Sequence, residues 1–262
     1  MPSPSKARRL AALLPALALS LSLAAPVALA QDIPAQLDWA ERLELGTPVS
    51  GMVARVNAEP GQRVKRGEVL VQLDDRGLRA SVEEAEAQVR RLELARDEAK
   101  LEYERQQEMF DRTLISQRDL SLAQIGFAMA EAEFVAANAR LTRARLDLEY
   151  SRVRAPFDGL VLARHARVGQ AVNNELQVTP LVTLVSAEPM LARGSVAEDR
   201  LARLREGQNM VVRVGEARYE GTVRAIGLEA VDNGFPVTVQ FSAPAEHRLR
   251  AGLAATLQTG ND

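Results

Sequence analysis

One short motif occurs twice in this sequence, and the second copy lies 108 residues after the first. Gly51 corresponds in this way to Gly159, and Gly61 corresponds to Gly169. A motif this short cannot bury a core of its own, because too little of its surface would be removed from water. The repeat therefore predicts a single domain that is assembled from two distant segments of the chain.

Both copies carry the sequence pattern of β-strands. The runs 51–56 and 69–73 contain β-branched and apolar residues, and a glycine turn separates them. Alternation of apolar and polar residues, with glycines at the turns, predicts strands with one buried face. We expect the two halves, residues 44–75 and 151–188, to pack together as a small β-sandwich.

The segment between the halves, residues 76–150, has the composition of helices, because it is rich in Ala, Leu, Glu, Gln and Arg and has no proline. Its second part carries an apolar seam with alternating spacings of three and four, which is typical of a coiled coil. The seam residues are Leu120, Ala123, Phe127, Ala130, Phe134, Ala137, Leu141, Ala144 and Leu148. A weaker seam in the first part, with Arg96 on it, consists of Val82, Ala85, Val89, Leu92, Ala99, Tyr103 and Phe110.

A break between the two seams falls at residues 111–116. There Ser116, followed three residues later by Asp119, has the pattern of a helix N-cap. Two antiparallel helices of roughly 35 residues would form a hairpin about 50 Å long. The hairpin could be a spacer or a dimerisation zipper. Because an exposed hairpin buries little surface for the chain entropy that it costs, we expect it to reach a partner instead.

The C-terminal part, residues 189–262, contains further short alternating runs, which predict strands with one buried face. Leu201 and Leu204 lie at helical spacing between the first two of these runs. A small β-barrel with one short helix fits this pattern. We expect residues 31–43 to be an N-terminal linker.

The first 30 residues have the pattern of a secretory signal peptide. Lys6, Arg8 and Arg9 precede a long apolar run that ends at the small-residue sequence Ala28-Leu29-Ala30. An uncleaved membrane anchor is the alternative, because a run of about 20 apolar residues can span a bilayer. We expect cleavage of this segment and a mature chain that is soluble in an exported compartment.

Composition excludes several classes of chemistry. The chain has no cysteine and two histidines, His165 and His247, so thiol catalysis and multi-Cys/His metal clusters are excluded. A formal net charge of −2 argues against nucleic-acid binding. No phosphate-cradling glycine motif is present. We therefore expect no catalytic residues, no cofactor and no metal, and we interpret both histidines as exposed loop residues.

Four segments together resemble a known family. Residues 60–70, which read PGQRVKRGEVL, resemble the first half of a lipoyl/biotinyl-type motif, and residues 154–161, RAPFDGLV, resemble the second half. Residues 205–208, REGQ, and 249–253, LRAGL, follow in the predicted barrel. This order resembles the HlyD-like periplasmic adaptors, or membrane fusion proteins, of tripartite efflux pumps.

The resemblance implies a mainly β fold with a long α-helical coiled-coil hairpin, a split lipoyl-like β-sandwich and a small β-barrel. It implies an adaptor that joins an inner-membrane transporter of the resistance-nodulation-division (RND) class to a TolC-type outer-membrane channel and supports export of small molecules. It also implies a homo-oligomer, a ring of six copies. Many family members add a membrane-proximal β-domain, for which this chain leaves no room before Asp262, so we expect transporter contacts from the barrel and the sandwich.

The resemblance also identifies candidate residues for channel docking at the hairpin tip. The family carries an arginine there, a leucine four residues later and a serine seven residues after that. The same spacing here selects Arg105, Met109 and Ser116. Methionine in place of leucine conserves volume and apolar character.

Two other functions remain as alternatives. An adaptor of an ATP-driven (ABC) exporter would have the same sequence features, because the difference lies in the partner. A lipoyl or biotin carrier would need a lysine at the central turn of the motif. That turn is Asp74-Asp75-Arg76 here, and Lys65 lies in an earlier loop, which argues against a carrier.

Overall fold

The structure, a computed structural model, describes residues 32–173, 178–231, 234–244, 247 and 249–259. The predicted signal peptide, residues 1–30, lies outside the described residues. In chain order the elements are β1 (Ile33–Trp39), β2 (Arg42–Leu45), β3 (Gly51–Val56), β4 (Arg63–Val64), β5 (Val69–Leu73), α1 (Arg76–Asp111), α2 (Gln117–Tyr150), β6 (Arg152–Arg154), β7 (Gly159–Arg164), β8 (Ala171–Val172), β9 (Val182–Ser186), β10 (Met190–Val196), α3 (Glu198–Leu201), β11 (Asn209–Val214), β12 (Ala217–Ile226), β13 (Phe235–Phe241) and β14 (Ala254–Thr259).

The two copies of the repeat form one β-sandwich of two four-stranded sheets. One sheet has the strand order β2-β9-β7-β4 and the other has the order β6-β5-β3-β8. Each sheet combines strands from both copies, and equivalent strands occupy equivalent places in the two sheets. The sandwich therefore has internal two-fold pseudo-symmetry, and the packing of two distant segments into one sandwich is as the repeat predicted.

Hydrogen bonds between the two copies are reciprocal. The Gly61 amide donates to the Val161 carbonyl at 2.8 Å, and the Gly169 amide donates to the Val53 carbonyl at the same distance. Both glycines have positive φ, 87° and 82°, a conformation that costs glycine little and other residues more. The turns are thus repeated in geometry as well as in sequence.

The sandwich core consists of apolar side chains from both copies. Leu70, Val71, Leu181, Val182 and Leu184 have no measurable exposure. They form one continuous buried cluster with residues of both sheets. Because the cluster draws on both halves, neither half retains a closed core without the other.

The second β-domain is a closed six-stranded barrel with the order β1-β10-β13-β12-β11-β14. Its first strand corrects the expectation of a linker at residues 31–43. Ile33–Trp39 pairs with β10 on one side and with β14 on the other, and buried Ile33 and Leu37 point into the barrel core. Without this strand the barrel would have two open edges, which are costly to leave unpaired.

The two long helices pack as an antiparallel hairpin, in which α1 has 36 residues and α2 has 34. Every residue of the two predicted seams is buried or half-buried, including Arg96. Leu92, Leu120, Ala137 and Leu141 are the buried hydrophobic residues of the hairpin. The apolar stripes therefore face each other as the spacing predicted.

Aromatic rings organise the outer half of this interface. Tyr103 stacks on Phe127 with ring centroids 6.1 Å apart. The Arg96 guanidinium lies over the Phe134 ring, 4.2 Å from its centroid. The same side chain also lies 2.6 Å from an Asp97 oxygen and 3.9 Å from a Glu131 oxygen. Arg96 thus packs within the seam while its charge stays compensated.

A buried carboxylate lies where the hairpin joins the sandwich. Asp75, just before α1, is 6 % exposed. It accepts hydrogen bonds from Arg79 at 2.8 Å and from Arg152 at 3.4 Å. The Arg79 hydrogen bond is the main cause of the lowered pKa of Asp75. Because Arg152 follows α2, this carboxylate ties both ends of the hairpin together.

Candidate functional site

The hairpin tip is a tight turn between α1 and α2. The Leu114 amide donates to the Met109 carbonyl at 2.9 Å, and Thr113 adopts a positive φ of 63°. The Ser116 hydroxyl accepts from the Asp119 amide at 3.3 Å, and the Ser116 amide donates to an Asp119 carboxylate oxygen at 3.3 Å. This arrangement is a complete capping box, so the N-cap predicted from the sequence is confirmed.

Arg105 lies two turns before the tip with its side chain 68 % exposed. It forms an ion pair with Glu102 on the same helix. Exposed ion pairs contribute little to stability, because water and salt screen them. The guanidinium is therefore paired in the free protein and still open to a competing carboxylate or carbonyl.

Met109 lines a shallow groove of about 570 Å³ beside the tip. Phe127 and Leu122 line the same groove, together with Glu102 and Asp119. Glu102 is the ion-pair partner of Arg105, and Asp119 is the capping partner of Ser116. The structure thus brings Met109 next to the partners of the other two predicted residues, while Arg105 and Ser116 themselves lie outside the groove lining.

Ser116 is positioned to shape the turn rather than to present a free hydroxyl. Both its donor and its acceptor functions are used by Asp119. The Ser116 hydrogen bonds lower the pKa of Asp119. Within the predicted set, Arg105 and Met109 are therefore the side chains available for a direct contact, and Ser116 sets the geometry of the turn.

Sequence reasoning missed a second apolar stripe on α2. Leu122, Ile125 and Met129 are 58 %, 56 % and 63 % exposed, and exposed Ala132 and Ala136 continue the same spacings of three and four. The stripe carries no charged residue. The spacing of these residues in the sequence could have identified the stripe. The stripe was missed because the hairpin seam already explained why apolar residues recur along α2.

This second stripe makes α2 unusually apolar for an exposed helix. An 18-residue stretch of Gln117–Tyr150 has a mean hydropathy of 1.3, and 11 % of it is buried. By length and composition alone the helix passes the test for a membrane span. Its packing against α1 identifies it here as one arm of the hairpin.

Both histidines lie within hydrogen-bond distance of a hydroxyl group. His165 Nε2 lies 2.9 Å from the Thr183 hydroxyl, and His247 Nδ1 lies 2.6 Å from the Tyr219 hydroxyl. Burial raises the pKa of Tyr219. In the described part of the chain, no group of three or more His, Asp or Glu side chains is arranged to hold a metal ion.

Comparison with known proteins identifies the family. Residues 43–182, more than half of the chain, match the family described as the CzcB-like, barrel-sandwich hybrid domain. The chain belongs to this family. Its relatives are membrane fusion proteins, or periplasmic adaptors, which implies a non-catalytic role.

Two relatives and one solved structure illustrate this membership. The macrolide export protein MacA of Yersinia pestis is 28 % identical over 82 % of this chain and 63 % of its own length. The multidrug export protein AcrE of Escherichia coli K12 is 27 % identical over 83 % of this chain and 56 % of its own. The membrane fusion protein Spr0693 of Streptococcus pneumoniae R6 shares the fold with a TM-score of 0.67 at 17 % identity, covering 88 % of this chain and 99 % of that one. The chain thus spans less than two thirds of the length of MacA and of AcrE.

Proposed function

We propose that this chain is the adaptor that links an inner-membrane efflux transporter to a TolC-type outer-membrane channel and so supports export of small molecules. The observation that carries the proposal is the hairpin, whose helices of 36 and 34 residues reach about 50 Å at 1.5 Å per residue. Two relatives named for macrolide and multidrug export support it.

The tip of the hairpin is the proposed channel-docking site. Arg105 would exchange its ion pair with Glu102 for hydrogen bonds to carbonyls or carboxylates on the channel, since a guanidinium offers several donors in one plane. Met109 would add an adaptable apolar contact. Ser116 would keep the turn in the conformation that presents both side chains.

The exposed stripe on α2 supports assembly with other helices. Soluble proteins rarely expose contiguous apolar patches without a partner. Leu122, Ile125 and Met129 would pack against a helix of the channel or of a neighbouring copy. We propose a ring of six copies, because a conduit must enclose a pore and head-to-tail contacts between identical chains close into rings.

The proposed transporter is of the RND class, as the sequence resemblance implies, and an ATP-driven exporter is the alternative. The barrel and the sandwich would supply the transporter contacts. The proposed location is the periplasm, with residues 1–30 as the export signal. Isolation of the tagged chain from membranes, with mass spectrometry of the co-purified transporter, distinguishes the two transporter classes.

Site-specific photocrosslinking tests the docking proposal directly. A benzoylphenylalanine at Leu114, which is 67 % exposed at the tip, should capture the outer-membrane channel in living cells. The same probe at Leu94, which is 71 % exposed on the middle part of α1, should capture much less. Equal capture at both positions would contradict docking through the tip.

A charge reversal supplies the functional test. Arg105→Asp should abolish the Leu114 crosslink and restore susceptibility of a complemented deletion strain to erythromycin and ethidium. Arg90→Asp is the matched control, because Arg90 is also exposed on α1 but lies about 22 Å away along the helix. Melting temperature and helix content should be unchanged in both variants. Retained resistance and crosslinking in Arg105→Asp would refute the site.

A further inference from the structure

A cleft of about 1050 Å³ lies between the barrel and the sandwich. Trp39 and Met190 line it from the barrel, and Leu160 and Val185 line it from the sandwich. This volume lies at the upper end of the range for small-molecule sites, which often occur at interfaces between domains. Nothing in a purely bridging function requires such a cleft.

Three arginines belong to the lining of this cleft. Arg42, Arg63 and Arg250 all line it. Among the described residues, neither Arg42 nor Arg250 has a carboxylate partner within ion-pair distance. Two arginines of the lining thus form no ion pair with a described residue.

The carboxylates of the cleft do not neutralise these arginines. Asp38 is already paired with Arg193 at 3.0 Å. Glu188 is the other acidic residue of the lining, and it makes no ion pair with a described residue. Arg42 and Arg250 against Glu188 leave an excess of one positive charge in the lining, which favours an anionic ligand.

The backbone holds both unpaired arginines in place. Arg42 begins β2 and pairs with Val185 of β9. Arg250 lies in the loop before β14, where the Gly252 amide donates to the Leu37 carbonyl at 2.8 Å. Because the backbone is anchored at both positions, ligand binding would cost less conformational entropy.

The floor of the cleft is apolar. Val185 and Met190 are buried, and half-buried Leu249 and Trp39 pack against the barrel core. An apolar floor with guanidinium groups at its rim matches a molecule that has an apolar body and one anionic head. We propose that this cleft binds a small amphipathic anion, with Arg42 and Arg250 on the anionic head and Trp39 on the apolar body.

The proposed site makes the chain a ligand-binding protein in addition to a bridge, and it does not depend on which transporter or channel the chain contacts. Trp39 provides the probe, because it is the single tryptophan of the sequence. Binding in the cleft must therefore change the only tryptophan fluorescence of the protein.

The first experiment titrates the purified chain with 1-anilinonaphthalene-8-sulfonate and, separately, with N-phenyl-1-naphthylamine, which has the same rings without the sulfonate. We expect saturable energy transfer from Trp39 to the sulfonate dye and roughly tenfold weaker binding of the neutral dye, because a charge-assisted pair is lost. Equal affinities would overturn the anion site and leave only an apolar groove.

The second experiment assigns the cations. Arg42→Gln and Arg250→Gln should each weaken sulfonate binding, and the double variant should weaken it by roughly tenfold or more. Binding of the neutral dye should not change. Arg218→Gln is the matched control, because it removes one exposed charge from the same barrel outside the cleft. Unchanged sulfonate affinity in the double variant, at an unchanged melting temperature, would overturn the proposal.

A competition assay distinguishes the two sources of such a ligand. Monomeric taurocholate represents a soluble amphipathic anion, and phosphatidylglycerol vesicles represent a lipid headgroup, with phosphatidylcholine vesicles as the neutral control. Displacement of the dye by taurocholate or by the anionic vesicles supports the site and identifies the source. Displacement by neither would overturn the assignment to amphipathic anions.

Discussion

The contact between Arg96 and Phe134 makes a quantitative prediction about the hairpin. The guanidinium carbon lies 4.2 Å from the centre of the Phe134 ring, and the Arg96 side chain is 23 % exposed. A charge held this far inside a helix interface needs the ring, because removal of the ring leaves the cation against a cavity. Phe134→Ala should therefore open the outer half of the hairpin locally.

The magnitude follows from burial and from the ring contact. Truncation of a fully buried phenylalanine costs about 3–5 kcal/mol, and half-buried Phe134 should lose about half of that. The cation–π contact adds about 0.5–1 kcal/mol at a partly exposed site. We expect a local loss of about 2–3.5 kcal/mol. A double-mutant cycle with Arg96→Ala should give a coupling of about 0.5–1 kcal/mol.

Hydrogen exchange with mass spectrometry measures this loss by segment. Protection should fall across residues 90–140 and should stay unchanged in the barrel and the sandwich, because these domains do not contribute to the outer half of the hairpin. Val135→Ala is the matched control, since Val135 is the next residue and is 56 % exposed. Its effect should stay below about 0.5 kcal/mol. Zero coupling between Arg96 and Phe134, or an equal loss in the control, would refute the reasoning.

Two further predictions concern the sandwich and the base of the hairpin. Gly159→Ala should destabilise the sandwich by about 1–3 kcal/mol, because a Cβ at this position would collide with the Val185 carbonyl. Gly126→Ala has open space around it and should stabilise α2 by about 1 kcal/mol. Thermal melts that give both variants the same change in stability would contradict this. Because the Arg79 hydrogen bond lowers the pKa of Asp75, this carboxylate stabilises the base above the ordinary aspartate pKa of about 4, and that contribution is lost as pH falls through the lower folded pKa. Exchange at the base should therefore rise below about pH 4, and Asp75→Asn should flatten the pH dependence.

Much of the fold was predictable because its signals are local or repeated. The spacing of apolar residues identified the seam by which each helix packs on the other, and Ser116 with Asp119 identified the start of α2. The repeated glycines, such as Gly61 and Gly169, identified equivalent turns. Each of these patterns records a constraint that acts within a few residues.

The rest depends on partners that lie far away in sequence. Ile33–Trp39 contains proline and aspartate and has a weak strand pattern, and it becomes a strand because β10 and β14 offer it two edges. A charged residue such as Arg96 interrupts an apolar seam in the sequence. In the structure it packs on the Phe134 ring of the other helix. The cleft could not be predicted from the sequence, because Arg42 and Arg250 are more than 200 residues apart along the chain.

The hairpin leaves and re-enters the sandwich at one edge. The Leu73 amide at the end of β5 donates to the Ser151 carbonyl at 2.8 Å, so the chain departs and returns between neighbouring strands. Seven residues added to each helix would lengthen the projection by about 10 Å and preserve the phase of the seam, without displacing any strand. The length of the hairpin can therefore change in steps of one heptad per helix, while the strands at its base keep their positions.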